Sequence, residues 1–123
     1  KMPEFIEFTE NPDDNEITRL YSESDIFIFA SKYEGFGSPP SEAMACECAI
    51  VANAIGAVAE YSSDKVTAIH ADPGDKDGLY KGVKYLLKNQ EKIQNISRAA
   101  YHHIREFLNW DNSIEHFEKF ISK

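Results

Sequence analysis

Two glutamates that bracket a glycine- and proline-rich segment are the residues of this sequence best suited to do chemistry. Glu34 and Glu42 lie eight positions apart, and the segment between them reads Gly-Phe-Gly-Ser-Pro-Pro-Ser. Backbone amides in a glycine loop or at a helix N-terminus favour an anion, typically a phosphate. Carboxylates cannot serve that anion, but they accept hydrogen bonds from hydroxyl groups. The pattern therefore favours a ligand with both phosphate and many hydroxyls, as in a nucleotide sugar.

The two prolines decide which amides can contribute to this anion site. Pro39 and Pro40 have no N–H group, so a helix that begins here offers few donors in its first turn. We therefore expect anion binding to depend on the loop more than on the helix. The remaining donors are the amides of Gly35, Phe36, Gly37 and Ser38.

Each part of the pattern also has a plainer interpretation. Glu34 could be an exposed loop acid or a helix cap, and Glu42 could be an acid that the helix dipole favours near a helix start. The glycines could simply form a turn. The pair of acids favours a binding site, because a cradle of amides has no structural need for carboxylates on both flanks.

Apolar strands that alternate with amphipathic helices would position this segment. Four strands are predicted, at residues 5–8, 26–30, 49–52 and 67–70, and the second of these has no polar alternation, as expected for a strand covered on both sides. Helices are predicted from Asp13 or Asp14 to Tyr21, from the glycine loop to about residue 47, briefly near Glu60, and over three stretches that contain Leu79–Leu87, Ile93–Phe107 and Ile114–Ile121. Asp75 and Asp111 are expected to cap helices.

This order of elements predicts an α/β fold, a Rossmann-like doubly wound parallel sheet with flanking helices. Ligands of such sheets bind at the carboxyl ends of the strands. The glycine loop, the loop around Gly56 and the Asp-Pro-Gly-Asp turn at residues 72–75 each follow a strand directly. We therefore expect all three at one edge of the sheet.

Composition limits the classes of protein that this chain can belong to. The length of 123 residues suits one domain, and the net charge of −8 disfavours nucleic acid or an anionic membrane surface as a partner. No apolar run approaches the ~20 residues of a membrane span. Cys46 and Cys48 are too few for a zinc site and favour reduced thiols in the cytoplasm. The four histidines suit structural or surface positions, and the sequence contains no pattern of a nucleophilic triad or a metal cluster.

The segment from Ser31 to Cys46, SKYEGFGSPPSEAMAC, resembles the E-x7-E signature of family 4 (group 1) glycosyltransferases. The likeness continues through Asn53–Glu60, Asp72–Asp75 and the break between Phe107 and Trp110, so it covers nearly the whole chain in the family's order. The resemblance implies a GT-B fold and a retaining, metal-independent transferase without a cofactor. It also implies that residues 1–123 are most of the C-terminal, donor-binding half.

The family implies a role for each matching position. Glu34 would be the catalytic residue, in contact with the donor sugar's hydroxyls near the reacting carbon. The loop at residues 35–38 would bind the sugar and the diphosphate, and Glu42 would hold the ribose. Retention is ascribed in such enzymes to front-face attack, with the diphosphate helping to deprotonate the acceptor. The residues near the base would be Glu10, Asn11 and Pro12.

Three positions depart from the family's pattern. Glu47 and Ala49 stand where the family commonly has glycine and proline, and Ala57 replaces the second glycine of a Gly-Gly loop. These changes concern the helix end and the fit of the loop more than the two acids. Because the first residue is Lys1 and not methionine, we expect a fragment or a processed product. The acceptor domain, the first strands of this domain and the cations for the diphosphate would then precede it.

The functional expectation is the donor domain of a glycosyltransferase that transfers a hexose or deoxyhexose to a glycan, lipid or small-molecule acceptor, as in polysaccharide biosynthesis. The acceptor would be bound mainly by the absent domain, so this chain by itself would be inactive. The expected location is the cytoplasm, and the absent domain could add peripheral membrane contact. The alternative is a non-catalytic module that binds a nucleotide sugar or a phosphate.

Overall fold

The computed structural model describes residues 3–122, which form a parallel sheet flanked by helices. The strands are β1 (Ile26–Phe29), β2 (Ala49–Asn53) and β3 (Ile69–Ala71). The helices are α1 (Asp14–Glu23), α2 (Ser38–Ala45), α3 (Val58–Tyr61), α4 (Lys76–Leu87), α5 (Gln90–Phe107) and α6 (Trp110–Ile121). The α/β, Rossmann-like prediction is confirmed.

The central strand β2 is covered on both faces, which explains its continuous apolar sequence. The strands lie in the order β1-β2-β3, and both pairings are parallel. Ile50 and Ala52 pack on one side in a cluster with Met44, Val58, Tyr61, Ala100 and Ile104. Ala49 and Val51 pack on the other side in a cluster with Ile69, Leu79, Leu86, Ile93 and Ile96. Strands buried on both faces in this way are typical of parallel sheets.

Local sequence signals set the helix starts as expected. The Asp13 carboxylate caps α1 by accepting a hydrogen bond of 2.8 Å from the Glu16 amide. In the Asp-Pro-Gly-Asp turn, Gly74 has φ +84° and the Asp75 amide donates to the Asp72 carbonyl at 2.9 Å. Asp75 then caps α4 by accepting from the Gly78 amide at 2.9 Å.

Three predictions about individual elements are wrong. Residues 5–8 do not form a strand but an exposed, irregular segment, because they pair with no strand among residues 3–122 and so lack a hydrogen-bonding ladder. Strand β1 is not fully covered, since it lies at the edge of the described sheet with Ile28 51% exposed. Finally, Asn109 and not Asp111 caps α6, and its side chain accepts from the Asp111 amide at 2.9 Å.

Glu47 and Ala57 stand where the family resemblance leads us to expect glycine, and the backbone accommodates the two residues differently. Glu47 comes directly after the α2 C-cap and adopts φ +56°, a left-handed conformation that favours glycine. The backbone thus keeps the geometry of a glycine there at the expense of strain. Ala57 needs no such conformation, because its φ is −67°.

Candidate functional site

Glu34 lies in the loop between β1 and α2, at the carboxyl edge of the sheet. Its side chain is exposed and lines an open depression together with Tyr33, Gly35 and Ile55. The Ser31 hydroxyl donates to Glu34 Oε1 at 2.9 Å. The second carboxylate oxygen accepts no hydrogen bond from residues 3–122. Glu34 can therefore present one oxygen to a ligand's hydroxyl groups while the other is held.

The loop that follows Glu34 contains the free amides that the sequence predicted. No acceptor within residues 3–122 is hydrogen bonded to the amides of residues 35–38. Gly37 has φ +73° and is the N-cap of α2, where it offers no side chain as a cap. Pro39 and Pro40 follow in the first turn of that helix. Four consecutive amides are thus available to an anion, and they belong to the loop and the first residue of α2.

Tyr61, at the end of α3, supports this loop from beneath. Its side chain is fully buried, and its hydroxyl donates to the Gly37 carbonyl at 2.6 Å. The Tyr61 ring also packs against Phe36, with 5.3 Å between ring centroids. Burial, and to a smaller extent the charge of Glu34, raises the pKa of the Tyr61 hydroxyl. It therefore stays protonated at neutral pH and continues to donate to the loop.

The loop around Gly56 fixes the backbone of Glu34 and Gly35 from another side. The Ala57 amide donates to the Gly35 carbonyl at 2.9 Å. Gly56 has φ +52°, and a Cβ added there would lie 2.5 Å from the Glu34 carbonyl oxygen and closer still to that of Gly35. Only glycine fits this contact. The loop after β2 thus determines the position of the loop after β1.

Asn53, the last residue of β2, makes a third connection to the segment that follows β1. It is completely buried, and its Nδ2 donates to the Ser31 carbonyl at 2.9 Å. Its Oδ1 is buried and has no hydrogen-bond partner within residues 3–122. Asn53 thereby connects the centre of the sheet to the residue that contacts Glu34.

Glu42 lies on α2 and faces α1, away from the Glu34 depression. The Tyr21 hydroxyl donates to Glu42 Oε2 at 3.3 Å. Burial first, and then the Glu42 carboxylate, raise the pKa of Tyr21 to about 12. Glu42 and Pro12 line one groove between α1 and α2, whose other lining residues are Ile17, Leu20, Tyr21, Ser24, Phe27 and Pro39.

The structure therefore brings some of the predicted site residues together and separates others. Glu34 shares its depression with Gly35, the first residue of the amide loop, and Glu42 shares a groove with Pro12. The two acids line different depressions of the surface. Glu10 and Asn11 are exposed residues on the segment before Pro12 and do not line its groove. This arrangement suits an extended ligand with chemically different ends.

One histidine has a serine neighbour but forms no catalytic triad. His70 Nε2 lies 2.8 Å from Ser62 Oγ, and that hydroxyl donates to the Val58 carbonyl. Asp64 accepts from the His70 backbone amide, at 2.9 Å, and not from its ring. Burial lowers the pKa of His70 in spite of the opposing charge of Asp64. The pair therefore connects α3 to β3 and supplies no activated nucleophile.

Sequence reasoning missed the supporting residues Tyr61 and Asn53. A polar residue that ends an otherwise apolar strand was the only available signal for Asn53. Tyr61 carries no such signal, because its partner Gly37 lies 24 positions away. Within residues 3–122 no group of three or more His, Cys, Asp or Glu side chains could hold a metal ion. Metal independence stays a prediction.

Comparison with known proteins now identifies the family. The model described as "Glycosyl transferases group 1" matches residues 2–103, which is most of the chain. The chain belongs to this family. Mannosylfructose-phosphate synthase of Agrobacterium fabrum is 30% identical over 97 residues, which are 79% of this chain and 21% of that enzyme. An uncharacterized glycosyltransferase of Methanocaldococcus jannaschii is 29% identical over 96 residues, 78% of this chain and 25% of that protein.

Solved structures agree with the family. The C-terminal domain of a glycosyl transferase group 1 protein from Francisella tularensis is 31% identical, with a TM-score of 0.73 over 82% of this chain and 51% of that one. An Anabaena protein determined in complex with UDP-glucose has a TM-score of 0.77 and 21% identity, over 87% of this chain and 30% of that one. The second likeness shows the fold only. The chain spans a quarter or less of the length of the two curated relatives from Methanocaldococcus jannaschii and Agrobacterium fabrum.

Residues 3–122 of this glycosyltransferase family member include no helix that is long and apolar enough to cross a membrane.

Proposed function

We propose that this chain is the donor-binding part of a glycosyltransferase that moves a hexose or deoxyhexose from a nucleoside diphosphate sugar to an acceptor, with retention and without a metal. One observation carries the proposal: in the loop after β1, Glu34 with its exposed carboxylate directly precedes four consecutive amides that have no partner within residues 3–122. A site for phosphate alone would gain nothing from an acid next to its anion. A site for a sugar joined to a diphosphate uses both groups.

The amides of residues 35–38 would contact the diphosphate and the first sugar hydroxyls. Their donors are already oriented, because Tyr61 and Ala57 fix the carbonyls of Gly37 and Gly35. Negative charge grows on the diphosphate as the bond to the sugar breaks. Donors that are already oriented stabilise this charge in the transition state better than donors that must first reorient. Cations from the rest of the protein would supply the remaining neutralisation.

Glu34 would act on the sugar itself. The reacting sugar carbon gains positive charge as the diphosphate leaves, and a nearby carboxylate favours that change electrostatically. The acceptor hydroxyl would attack from the face that the diphosphate leaves and would pass its proton to a diphosphate oxygen. No base from this chain is then needed.

Glu42 and the groove that it shares with Pro12 would hold the nucleoside. Carboxylate oxygens accept hydrogen bonds from the two ribose hydroxyls. Apolar residues, among them Ile17, Leu20 and Phe27, line the groove beside that carboxylate.

The relatives support transfer of a sugar as the reaction. Among them, an Escherichia coli protein is named O-antigen chain mannosyltransferase B and is 27% identical over 99 residues, 80% of this chain and 25% of that protein.

Titration of the intact protein that contains this chain tests the proposal. Inorganic phosphate would be compared by calorimetry with UDP, GDP and ADP, each nucleotide with and without an attached hexose. Sugar transfer would then be assayed with the donor that binds most tightly. We expect one nucleotide series to bind and its sugar form to be consumed. If phosphate binds but no nucleoside diphosphate sugar does, the donor-site assignment is wrong. Binding without any consumption would favour the non-catalytic module.

Replacement of Glu34 then separates an enzyme from a binding module. Glu34→Gln keeps the shape of the side chain but removes its charge. We expect kcat to fall by about two orders of magnitude, the scale of one lost transition-state contact. Affinity for the free nucleoside diphosphate should stay unchanged, because that ligand has no sugar. Turnover near the normal value would show that Glu34 is not catalytic, and a parallel loss of nucleotide affinity would show that the loop has collapsed.

A further inference from the structure

We infer that Ser31 is a positioning residue for Glu34, and that β2 holds it in place through Asn53. This inference rests on the proposed role of Glu34 in sugar transfer. It concerns a residue that touches neither the diphosphate amides nor the nucleoside groove, and it acts only through the carboxylate of Glu34.

The Ser31 hydroxyl has two acceptors in its neighbourhood. Glu34 Oε1 lies at 2.9 Å and the Tyr33 carbonyl at 3.2 Å. The hydroxyl carries one proton, so the shorter and charge-assisted contact to the carboxylate is the stronger one. This contact selects one rotamer for a side chain that is otherwise exposed to solvent.

A positioning residue must itself be fixed, and Ser31 is fixed by a buried group. The Asn53 amide donates to the Ser31 carbonyl at 2.9 Å from the fully covered end of β2. Strand β2 is in turn paired on both sides, with Ala52 opposite Phe29 and Asn53 opposite Ala71. The rigid centre of the sheet is thus connected to Glu34 in two hydrogen-bonded steps.

The backbone of Glu34 is fixed independently, which leaves side-chain rotation as its main freedom. The contact of Gly56 with the Glu34 carbonyl and the bond from Ala57 to Gly35 hold the main chain. Without Ser31, the carboxylate could rotate among solvated rotamers. Since a catalytic group contributes most when it is already oriented, the loss should appear in turnover and not in nucleotide binding.

Deletion of the hydroxyl in the intact protein tests this inference. For Ser31→Ala we expect kcat to fall about tenfold while affinity for the tightest-binding of UDP, GDP and ADP stays unchanged. Ser31→Thr keeps a hydroxyl on the same carbon and should restore most of the activity. Ser22→Ala is the matched control, because it removes an exposed serine hydroxyl that donates only to the Thr18 carbonyl in α1.

A double-mutant cycle distinguishes action through Glu34 from a general structural effect. Ser31→Ala should have almost no further effect on kcat in the Glu34→Gln background, since the carboxylate that it orients is gone. Full additivity, failure of threonine to rescue, or equal loss of nucleotide affinity would each overturn the inference. If the intact protein consumes no nucleoside diphosphate sugar, the proposed function itself fails. If it does but Glu34→Gln has normal turnover, Glu34 is not catalytic and the inference about Ser31 falls with that role. If Glu34→Gln is impaired but Ser31→Ala is normal, only the role of Ser31 is wrong.

Discussion

Single residues beneath the surface control the exposed groups of this site. Tyr61 is the clearest case, because it is fully buried and yet its hydroxyl holds the Gly37 carbonyl in the amide loop. Gly37 accepts no larger residue, since an added Cβ would lie 2.8 Å from Val58 Cγ2. The loop is therefore determined by its supports as much as by its own glycines.

Removal of the Tyr61 hydroxyl should loosen the amide loop. Tyr61→Phe leaves the ring contacts intact but leaves the Gly37 carbonyl without its donor. We expect the free energy of unfolding to fall by about 1–2 kcal/mol, as for other buried groups that lose a partner. Nucleoside diphosphate affinity should weaken several-fold as well. Denaturant titration and calorimetry measure the two effects, with Tyr80→Phe as the control because Tyr80 is 62% exposed. Equal stability of both variants would contradict the inference that the Tyr61 hydroxyl stabilises the amide loop.

Glu42 should differ from Glu34 in which kinetic constant it controls. Ribose contacts exist in both the ground state and the transition state, so their loss raises KM and leaves kcat nearly unchanged. For Glu42→Ala in the intact protein we expect about tenfold weaker binding of the free nucleoside diphosphate, the scale of a hydrogen bond to a charged group. Glu118→Ala, which removes an exposed acid from α6, is the control. Unchanged affinity for the nucleotide would show that Glu42 does not hold the ribose.

At the scale of elements, β2 and its following loop organise the site although they contribute none of the predicted site residues. Asn53, Gly56 and Ala57 hold Ser31, Glu34 and Gly35, respectively. The preceding connection, from α2 into β2, contains a strained residue. Glu47 adopts φ +56° directly after the α2 C-cap, where helices commonly end on glycine.

Replacement of Glu47 by glycine should stabilise the domain. The left-handed conformation is unfavourable for a residue with a Cβ, while glycine adopts it freely. The gain is reduced by the larger entropy of glycine in the unfolded chain. We expect the free energy of unfolding to rise by about 0.5–1 kcal/mol for Glu47→Gly. Thermal denaturation measures the change, and Glu91→Gly in the first turn of α5 should have the opposite effect. A destabilised Glu47→Gly variant would contradict the inference that Glu47 is strained.

At the scale of the whole molecule, the sheet is unequally covered. Strand β2 is buried on both faces, but β1 at the edge of the described sheet leaves Ile28 51% exposed. The chain also matches only 21% of the length of the Agrobacterium fabrum enzyme. Both observations are compatible with the proposal that this chain works together with further protein.

We predict that the 123-residue chain by itself transfers no sugar. The physical reason is that an acceptor must be held against the donor sugar, and in the proposed function the acceptor is bound mainly by protein outside these 123 residues. Weak binding of a nucleoside diphosphate is compatible with this prediction. The measurement is release of the nucleoside diphosphate from its sugar form, in the presence of an acceptor that the intact protein uses. Measurable transfer by the purified chain would contradict the prediction.

The sequence by itself determined the local part of this protein. A continuous apolar run indicated β2, because a strand that is covered on both faces has no polar alternation. A period of about 3.6 residues in the apolar positions indicated the main helices, because burial of one helix face imposes that spacing. Asp13 and Asp75 indicated helix starts, since their carboxylates bond to amides three positions on. The glycine loop and its two acids were also visible, as a continuous segment of chain.

Only the tertiary structure decided which residues support that segment and which apparent strands form. Tyr61 and Asn53 contact residues 24 and 22 positions away, and no periodicity encodes such contacts. Residues 5–8 have the composition of a strand, but a strand exists only where a neighbour supplies hydrogen bonds, and none of the described strands does so. The separation of Glu34 from Glu42 has the same origin. Eight positions of chain fix their spacing in sequence, while the start of α2 and its packing against α1 decide that they face different depressions.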